Sequence, residues 1–274
     1  MEKIKVAIKH TLYNIFGGFG YDISRRPHKD VIRDMIYPVR TTSEEIYKFL
    51  STLGFEPKTV FDVGVAIGTP ELYKTYPNAE FILIEPLKEF EGHLQKICAQ
   101  YKAQYYLGAA GSIQGRFKLC VSPDLVNSSL FYQDSFVERE VPMFTLDQIA
   151  IDCQLQGPCL IKVDAQGGEL SVLQGAENIL ELSEMVILEV SFFSFTKGMP
   201  QFYDIVNFMK QRSFVIYEIW GGHNRPFDKA RAQANVVFVK EEGVFRKTSE
   251  WATPAQAELF YTKRSKDMQE YFKD

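Results

Sequence analysis

Apolar residues along the chain fall into two alternating rhythms. Short β-branched and aromatic runs, Thr59 to Val63 and Phe81 to Ile84, read as buried strands, and between such runs the apolar positions recur at helical spacing. A helix starts at Thr42, where Thr42 and Glu45 make a capping-box pattern, presents Ile46, Phe49, Leu50 and Leu53, and ends at Gly54. Leu87, Phe90, Leu94, Ile97, Cys98 and Tyr101 form a second helical face, followed by a third strand from Ala103 to Ala110. Arg116 to Val121 adds a short strand suited to a hairpin. Val141 to Leu146 leads to Asp147, which reads as a helix N-cap. Pro158 to Val163 is an apolar strand that reaches Asp164. Gly167 and Gly168 then open one helix with Val172, Leu173, Ala176, Ile179 and Leu180 on its buried face. Met185 to Val190 is the next strand, and Phe202, Ile205, Val206 and Met209 make another helical stripe. Phe214 to Trp220 and Asn235 to Lys240 are joined by about a dozen residues without helical pattern, so this last pair is antiparallel.

The alternation predicts an α/β fold: a Rossmann-like, doubly wound sheet, mostly parallel with a final antiparallel strand. Three regions follow: an N-terminal helical extension or cap over residues 1–54, the sheet domain over 55–245, and a C-terminal helix within 246–274 that presents Phe260, Met268, Tyr271 and Phe272. Ile4, Ile8, Leu12 and Ile15 give the first sixteen residues an amphipathic helical pattern. That helix suits a cap or an oligomer contact, with peripheral membrane contact as the alternative. Lys3, Lys5 and Lys9 interrupt its apolar residues, so it does not read as a signal peptide. Residues 17–40 read as irregular, with a short helix at 30–36. No segment approaches the ~20 apolar residues of a membrane span.

Composition narrows the classes. At 274 residues and 46% apolar, the chain has the length of one large α/β domain with additions. Lys and Arg total 31 against 35 Asp and Glu, a formal net charge of -4, which offers no general attraction to nucleic acid. The cysteines, Cys98, Cys120, Cys153 and Cys159, lack C-x-x-C spacing and lie in or beside apolar runs. They fit buried thiols in a reducing cytoplasm and argue against a structural zinc.

Candidate chemistry begins where the strand Thr59 to Val63 runs into Gly64-Val65-Ala66-Ile67-Gly68-Thr69. Two glycines let the backbone turn sharply and approach a ligand. Twenty-one residues past Gly64, the next strand ends in Glu85, placed to accept hydrogen bonds from both ribose hydroxyls of an adenosyl group. A dinucleotide fingerprint requires a middle glycine that this loop lacks. S-adenosylmethionine, which carries adenosine without phosphate, suits the loop better than NAD. A dinucleotide-dependent oxidoreductase and a non-catalytic scaffold with a relict loop remain as alternatives.

Several blocks together resemble the FkbM methyltransferase family. The most diagnostic is Ile161-Lys162-Val163-Asp164-Ala165-Gln166-Gly167-Gly168-Glu169-Leu170 with Val172-Leu173-Gln174-Gly175-Ala176. Asp62-Val63-Gly64, Ile84-Glu85-Pro86, Thr145-Leu146-Asp147 and Ile187-Leu188-Glu189-Val190 occur in the family's order. The resemblance implies the Rossmann-like fold of class I methyltransferases and transfer of a methyl group from S-adenosylmethionine, mostly to hydroxyls of sugars and natural products. It implies cofactor contacts from Asp62, Gly64, Val65, Gly68, Thr69, Glu85, Pro86, Ala110 and Ser112. Two departures stand out: Ala109-Ala110-Gly111-Ser112 replaces a pattern that often ends in aspartate, and only Pro70 to Asn78 lie between Thr69 and the second strand.

A hydroxyl acceptor needs a base or metal to take or weaken its proton, and the fold places such a group beyond the carboxyl ends of the strands. Asp164, Glu189 and His223 are the candidate catalytic residues; Asp164 could instead cap the following helix, and Glu189 could pair with Lys162. A divalent metal held by Asp164 and Glu189 stays open as an alternative, for which two carboxylates without a clear third ligand are weak evidence. Ser122 to Glu140, carrying Phe131, Tyr132 and Phe136, is a candidate lid over the acceptor.

Overall fold

A computed structural model describes residues 39–131 and 137–271. The expected N-terminal helix, the stretch from 17 to 38 and the lid residues Tyr132 and Phe136 lie outside the described residues. Residues 40–249 form one compact unit, and the described residues from 250 onward belong to another.

In the larger unit, Thr42 caps α1 (Ser43–Ser51) as the capping box predicts: Glu45 N donates to Thr42 Oγ1 at 3.2 Å, and Thr42 N donates to Glu45 Oε2 at 3.1 Å. Ile46, Tyr47 and Leu50 of α1 pack in one core with residues of the sheet, beside the elements that carry the glycine loop. β1 (Thr59–Val63), α2 (Pro70–Thr75), β2 (Glu80–Glu85), a short 3-10 turn (Lys88–Phe90), α3 (Glu91–Gln100) and β3 (Ala103–Leu107) follow in turn. The predicted third strand stops at Leu107, because Gly108 turns the chain. A Cβ there would lie 2.6 Å from the Phe144 ring, and Ala109–Ala110 continues as β4 in a different sheet. β5 (Gly115–Val121) and β6 (Val137–Phe144) make the expected hairpin partners. β4, β6 and β5 form a small three-stranded sheet.

Thr145, not Asp147, caps α4 (Leu146–Asp152), its side chain accepting from Gln148 N. Asp147 instead accepts from Asn178 N at 3.1 Å and Ile179 N at 2.9 Å, so it caps a helix 30 residues on. β7 (Cys159–Val163) leads to α5 (Glu169–Gln174) and α6 (Glu177–Glu181), two helices where the periodicity predicts one. Gly175 separates them because a Cβ at that position would lie 2.0 Å from the Gly111 carbonyl oxygen. β8 (Ser183–Ser191), α7 (Phe202–Lys210), β9 (Phe214–Trp220) and β10 (Gln233–Lys240) complete the unit.

The main sheet runs β3-β2-β1-β7-β8-β10-β9. β1, β2, β3, β7 and β8 pair in parallel, and β10 is antiparallel to both β8 and β9. Helices cover both faces. Phe61, Ile84, Ile161, Val163 and Leu188 pack against α4 to α7 on one side, and Val60, Leu83, Leu160 and Ile187 pack against α1 to α3 on the other. A third apolar cluster, with Leu87, Phe90, Leu119 and Val141, joins the small sheet to the segment after β2. The order of β1, β2 and β7 places their carboxyl ends side by side, which is where a doubly wound sheet holds ligands.

In the other unit, α8 (Pro254–Tyr271) is described. Trp251 packs edge-on to Phe260, with ring centroids 4.9 Å apart. No helix of the described residues is long and apolar enough to cross a membrane.

Candidate active site

A cleft opens at the carboxyl ends of β1, β2 and β7, where a doubly wound sheet holds its ligands. Gly64, Glu85, Pro86, Ala110 and Asp164 line it, all of them singled out in the sequence. Ala66, Leu87, Phe90, Leu119, Leu125, Leu130 and Gln166 line it as well.

Backbone bonds hold the floor. Gly64 N donates to Ile84 O, and Asp164 N donates to Val63 O, both at 2.9 Å, so the end of β1 is tied to each neighbouring strand. Gly64 has φ +74, and a Cβ there would lie 1.8 Å from the Asp164 carbonyl oxygen. The glycine is therefore required by the contact between two backbones, as well as by any ligand. Glu85 is 4% exposed. Its Oε2 accepts from Ala66 N and its Oε1 from Leu87 N, each at 2.9 Å, which fixes the carboxylate in the cleft wall. Each oxygen keeps a second lone pair. Burial raises the Glu85 pKa, against the pull of those two amides.

Beneath the loop lies a buried ion pair that the sequence reading does not identify. Asp62 is fully buried, and its Oδ1 lies 3.1 Å from Lys162 Nζ, across the β1–β7 register. Tyr73 donates its hydroxyl to Asp62 Oδ2 at 2.6 Å, and Lys162 Nζ donates to Gly64 O at 3.2 Å. Burial opposes the lysine charge, but Asp62, Asp164 and Glu189 outweigh it and raise its pKa. The direct partner of Lys162 is thus Asp62 and not Glu189.

Glu189 accepts instead from Gln166 Nε2 and Gln233 Nε2, both on Oε2 at 3.2 Å. Gln166 Nε2 also donates to Asp164 Oδ1 at 2.8 Å, so one amide joins the two candidate carboxylates. Burial, then the Asp164 charge, pushes the Glu189 pKa up to about 8. The helix-opening turn is held by Glu169, whose Oε1 accepts from Ala165 N and Gly167 N, rather than by Asp164. Burial pushes the Glu169 pKa up to about 7.

The remaining sequence candidates sit apart from the cleft lining. Val65 is buried in the core under α2 and α3, Gly68 turns the chain at φ +107, and Thr69 occupies the N-cap position of α2. Ser112 donates its backbone N–H to Ser171 Oγ at 3.1 Å. His223 is exposed in the β9–β10 connection, where its carbonyl accepts from Ala232 N. Of the candidate lid, Leu125, Val126, Ser128 and Leu130 line the cleft. Among the described residues, no group of three or more His, Cys, Asp or Glu could hold a metal ion.

The profile of the methyltransferase FkbM domain matches residues 62–216, more than half of the chain and the whole span from the glycine loop to β9. The chain belongs to the FkbM methyltransferase family. It is a methyltransferase by family, with S-adenosylmethionine as its cofactor, and the dinucleotide reading of the glycine loop falls. Comparison with curated proteins finds no match. Among solved structures, the chain is similar to precorrin-6y C5,15-methyltransferase from Geobacter metallireducens, at 10% identity and TM-score 0.39 over 74% of this chain and 94% of that one. An rRNA methylase from Streptococcus thermophilus matches at 10% identity and TM-score 0.41, over 74% and 98%. Magnesium protoporphyrin IX methyltransferase from Synechocystis, with bound SAM, matches at 11% and 0.38, over 78% and 91%. These distant superpositions add nothing to the family match.

The cleft fits the cofactor. Leu87, Phe90, Leu119, Leu125 and Leu130 supply apolar walls that would suit a purine, and the Glu85 carboxylate retains two lone pairs that could accept from hydroxyl groups.

Proposed function

We propose that this FkbM methyltransferase methylates a hydroxyl group of a sugar or natural-product small molecule. The observation that carries the reading is that Asp164 and Gln166, both in the cleft lining, are joined to Glu189 through the Gln166 amide.

When bound, S-adenosylmethionine supplies a sulfonium methyl group open to in-line attack by an oxygen. Glu85 would hold the ribose from the cleft wall, assisted by the backbone around Gly64 and by Pro86 and Ala110. Asp164, also in the cleft lining, would face the methionine portion. Asp62, Val65, Gly68, Thr69 and Ser112 would act by shaping the loop and its surroundings. Asp62 does so through Lys162, which grips the Gly64 carbonyl.

Glu189 would receive the acceptor's hydroxyl proton. A base with a pKa of about 8 is ionised in part at neutral pH and strong enough to share a proton with an alcohol in the transition state. His223, on the rim formed by the β9–β10 connection, would meet the acceptor rather than the cofactor. The acidic balance of the chain argues for a small-molecule acceptor over nucleic acid. The cysteines, all free, support a reducing cytoplasm.

The test is transfer of isotopically labelled methyl from S-adenosylmethionine into fractionated small-molecule extracts, with Asp164→Asn and Glu189→Gln as controls. Label at an ether oxygen, lost in both variants, supports the reading. Label that enters RNA or protein instead contradicts it.

A further inference from the structure

Gln166 adopts a backbone conformation that its residue type disfavours. Its φ is +47, in the left-handed region, and a non-glycine residue persists there only when its surroundings hold it. Two contacts do so. The Gln166 carbonyl accepts from Ser129 Oγ at 2.7 Å, and its side-chain amide reaches Asp164 Oδ1 and Glu189 Oε2. A primary amide has two N–H groups, one for each carboxylate. The reverse flip would set its oxygen against Asp164 Oδ1, the shorter of the two contacts at 2.8 Å, and leave that oxygen without its donor.

The charged and polar groups around Glu189 explain why this bridge matters. Lys162 and Asp164 face it from β7 and the residue beyond, Glu169 from the start of α5, and Gln233 from β10. Asn235 stands opposite it in the strand register. Lys162 is engaged by Asp62 and the Gly64 carbonyl, and Gln166 is the group that donates to both carboxylates at once.

We propose that Gln166 is a positioning residue: its amide ties Asp164 and Glu189 into one acid–base pair, and Ser129 fixes the backbone conformation that aims it. Ser129 lies in the segment whose Leu125, Val126, Ser128 and Leu130 form a wall of the cofactor cleft, so that wall and the carboxylate pair are joined through one residue. This rests on the reading of Asp164 and Glu189 as the acceptor-side pair.

The experiment is infrared difference titration of the carboxyl stretch in the full chain. The band that Glu189→Gln removes reports Glu189. Gln166→Met keeps the side-chain length but lacks the donor, and it should raise the Glu189 midpoint by about one pH unit, since an ionised carboxylate loses a hydrogen bond. Ser129→Ala should shift it the same way by less, and it carries the test if melting shows that Gln166→Met does not fold. An unmoved midpoint in the folded variant overturns the proposal. Binding of S-adenosylhomocysteine to the unaltered chain separates the two failures. Absent binding sinks the functional reading, whereas binding with an unmoved midpoint sinks only the role of Gln166.

Discussion

The carbonyl oxygen of Asp164 lies 1.8 Å from the place where residue 64 would carry a Cβ, so Gly64 and Asp164 can be neighbours only because one of them has no side chain. This contact brings the end of β1, where the glycine loop begins, against the end of β7, where we propose that the acceptor chemistry takes place. Gly64→Ala must move one of two backbones and also adopt φ +74. The cost is about 1–2 kcal/mol for the conformation and about 1–3 kcal/mol for overpacking. Urea denaturation should show a loss of that combined size, and S-adenosylhomocysteine binding should weaken with it. Wild-type stability in the variant would mean the two strand ends are not held this closely.

Glu85→Ala removes the carboxylate we propose as acceptor for two ribose hydroxyls and leaves Ala66 N and Leu87 N without their partner. Cofactor affinity should fall by about 1–3 kcal/mol. Glu85→Gln keeps one oxygen and converts the other to a donor, so it should bind more weakly than wild type as well. Calorimetry on the three proteins checks the ranking.

Lys162→Met leaves Asp62 fully buried and without its counter-charge. Breaking such a pair on one side costs about 3–5 kcal/mol. The double variant Asp62→Leu with Lys162→Met should recover part of that loss, because no lone charge remains. A Lys162→Met protein as stable as wild type would contradict the buried pairing.

Glu189 and Glu169 give stability a particular pH dependence. Their folded pKa values, about 8 and about 7, lie above the ordinary glutamate value of 4.5, so the folded state binds more protons than the unfolded chain between these limits. Stability from these groups is complete below about pH 4.5 and is lost as pH rises toward 7 and 8. Denaturation midpoints measured from pH 5 to 8.5 should fall across the range. Glu189→Gln should flatten the upper part of the curve. A wild-type midpoint that rises with pH in this window would contradict the buried placement of both groups.

Much of this architecture is legible in the sequence because the sheet residues obey simple periods. Phe61, Ile82, Ile84, Ile161 and Leu188 are continuous apolar runs in sequence and core residues in the structure, and Glu85 and Asp164 are the polar residues that end such runs. The misread boundaries come from tertiary contacts that carry no period. Gly108 breaks an apolar run because the Phe144 ring lies against it, and Gly175 splits a helical pattern because the Gly111 carbonyl lies against it. Asp147 looks like the cap of its own helix, yet it caps α6 across the fold. Gln166, Gln233 and Ser129 are ordinary polar residues in sequence, and only the closeness of β7, β8, β10 and the 122–131 segment brings them to the carboxylates. Lys162 carried a visible signal, a charge inside an apolar strand, which demands a buried partner; the partner lay on β1 rather than β8.

The most direct measurement is calorimetric titration of the chain with S-adenosylhomocysteine, with NAD as the comparison and Glu85→Ala as the control. The account predicts binding of S-adenosylhomocysteine, none of NAD, and a marked weakening in the Glu85 variant. Absence of S-adenosylhomocysteine binding, or binding indifferent to Glu85, would contradict it.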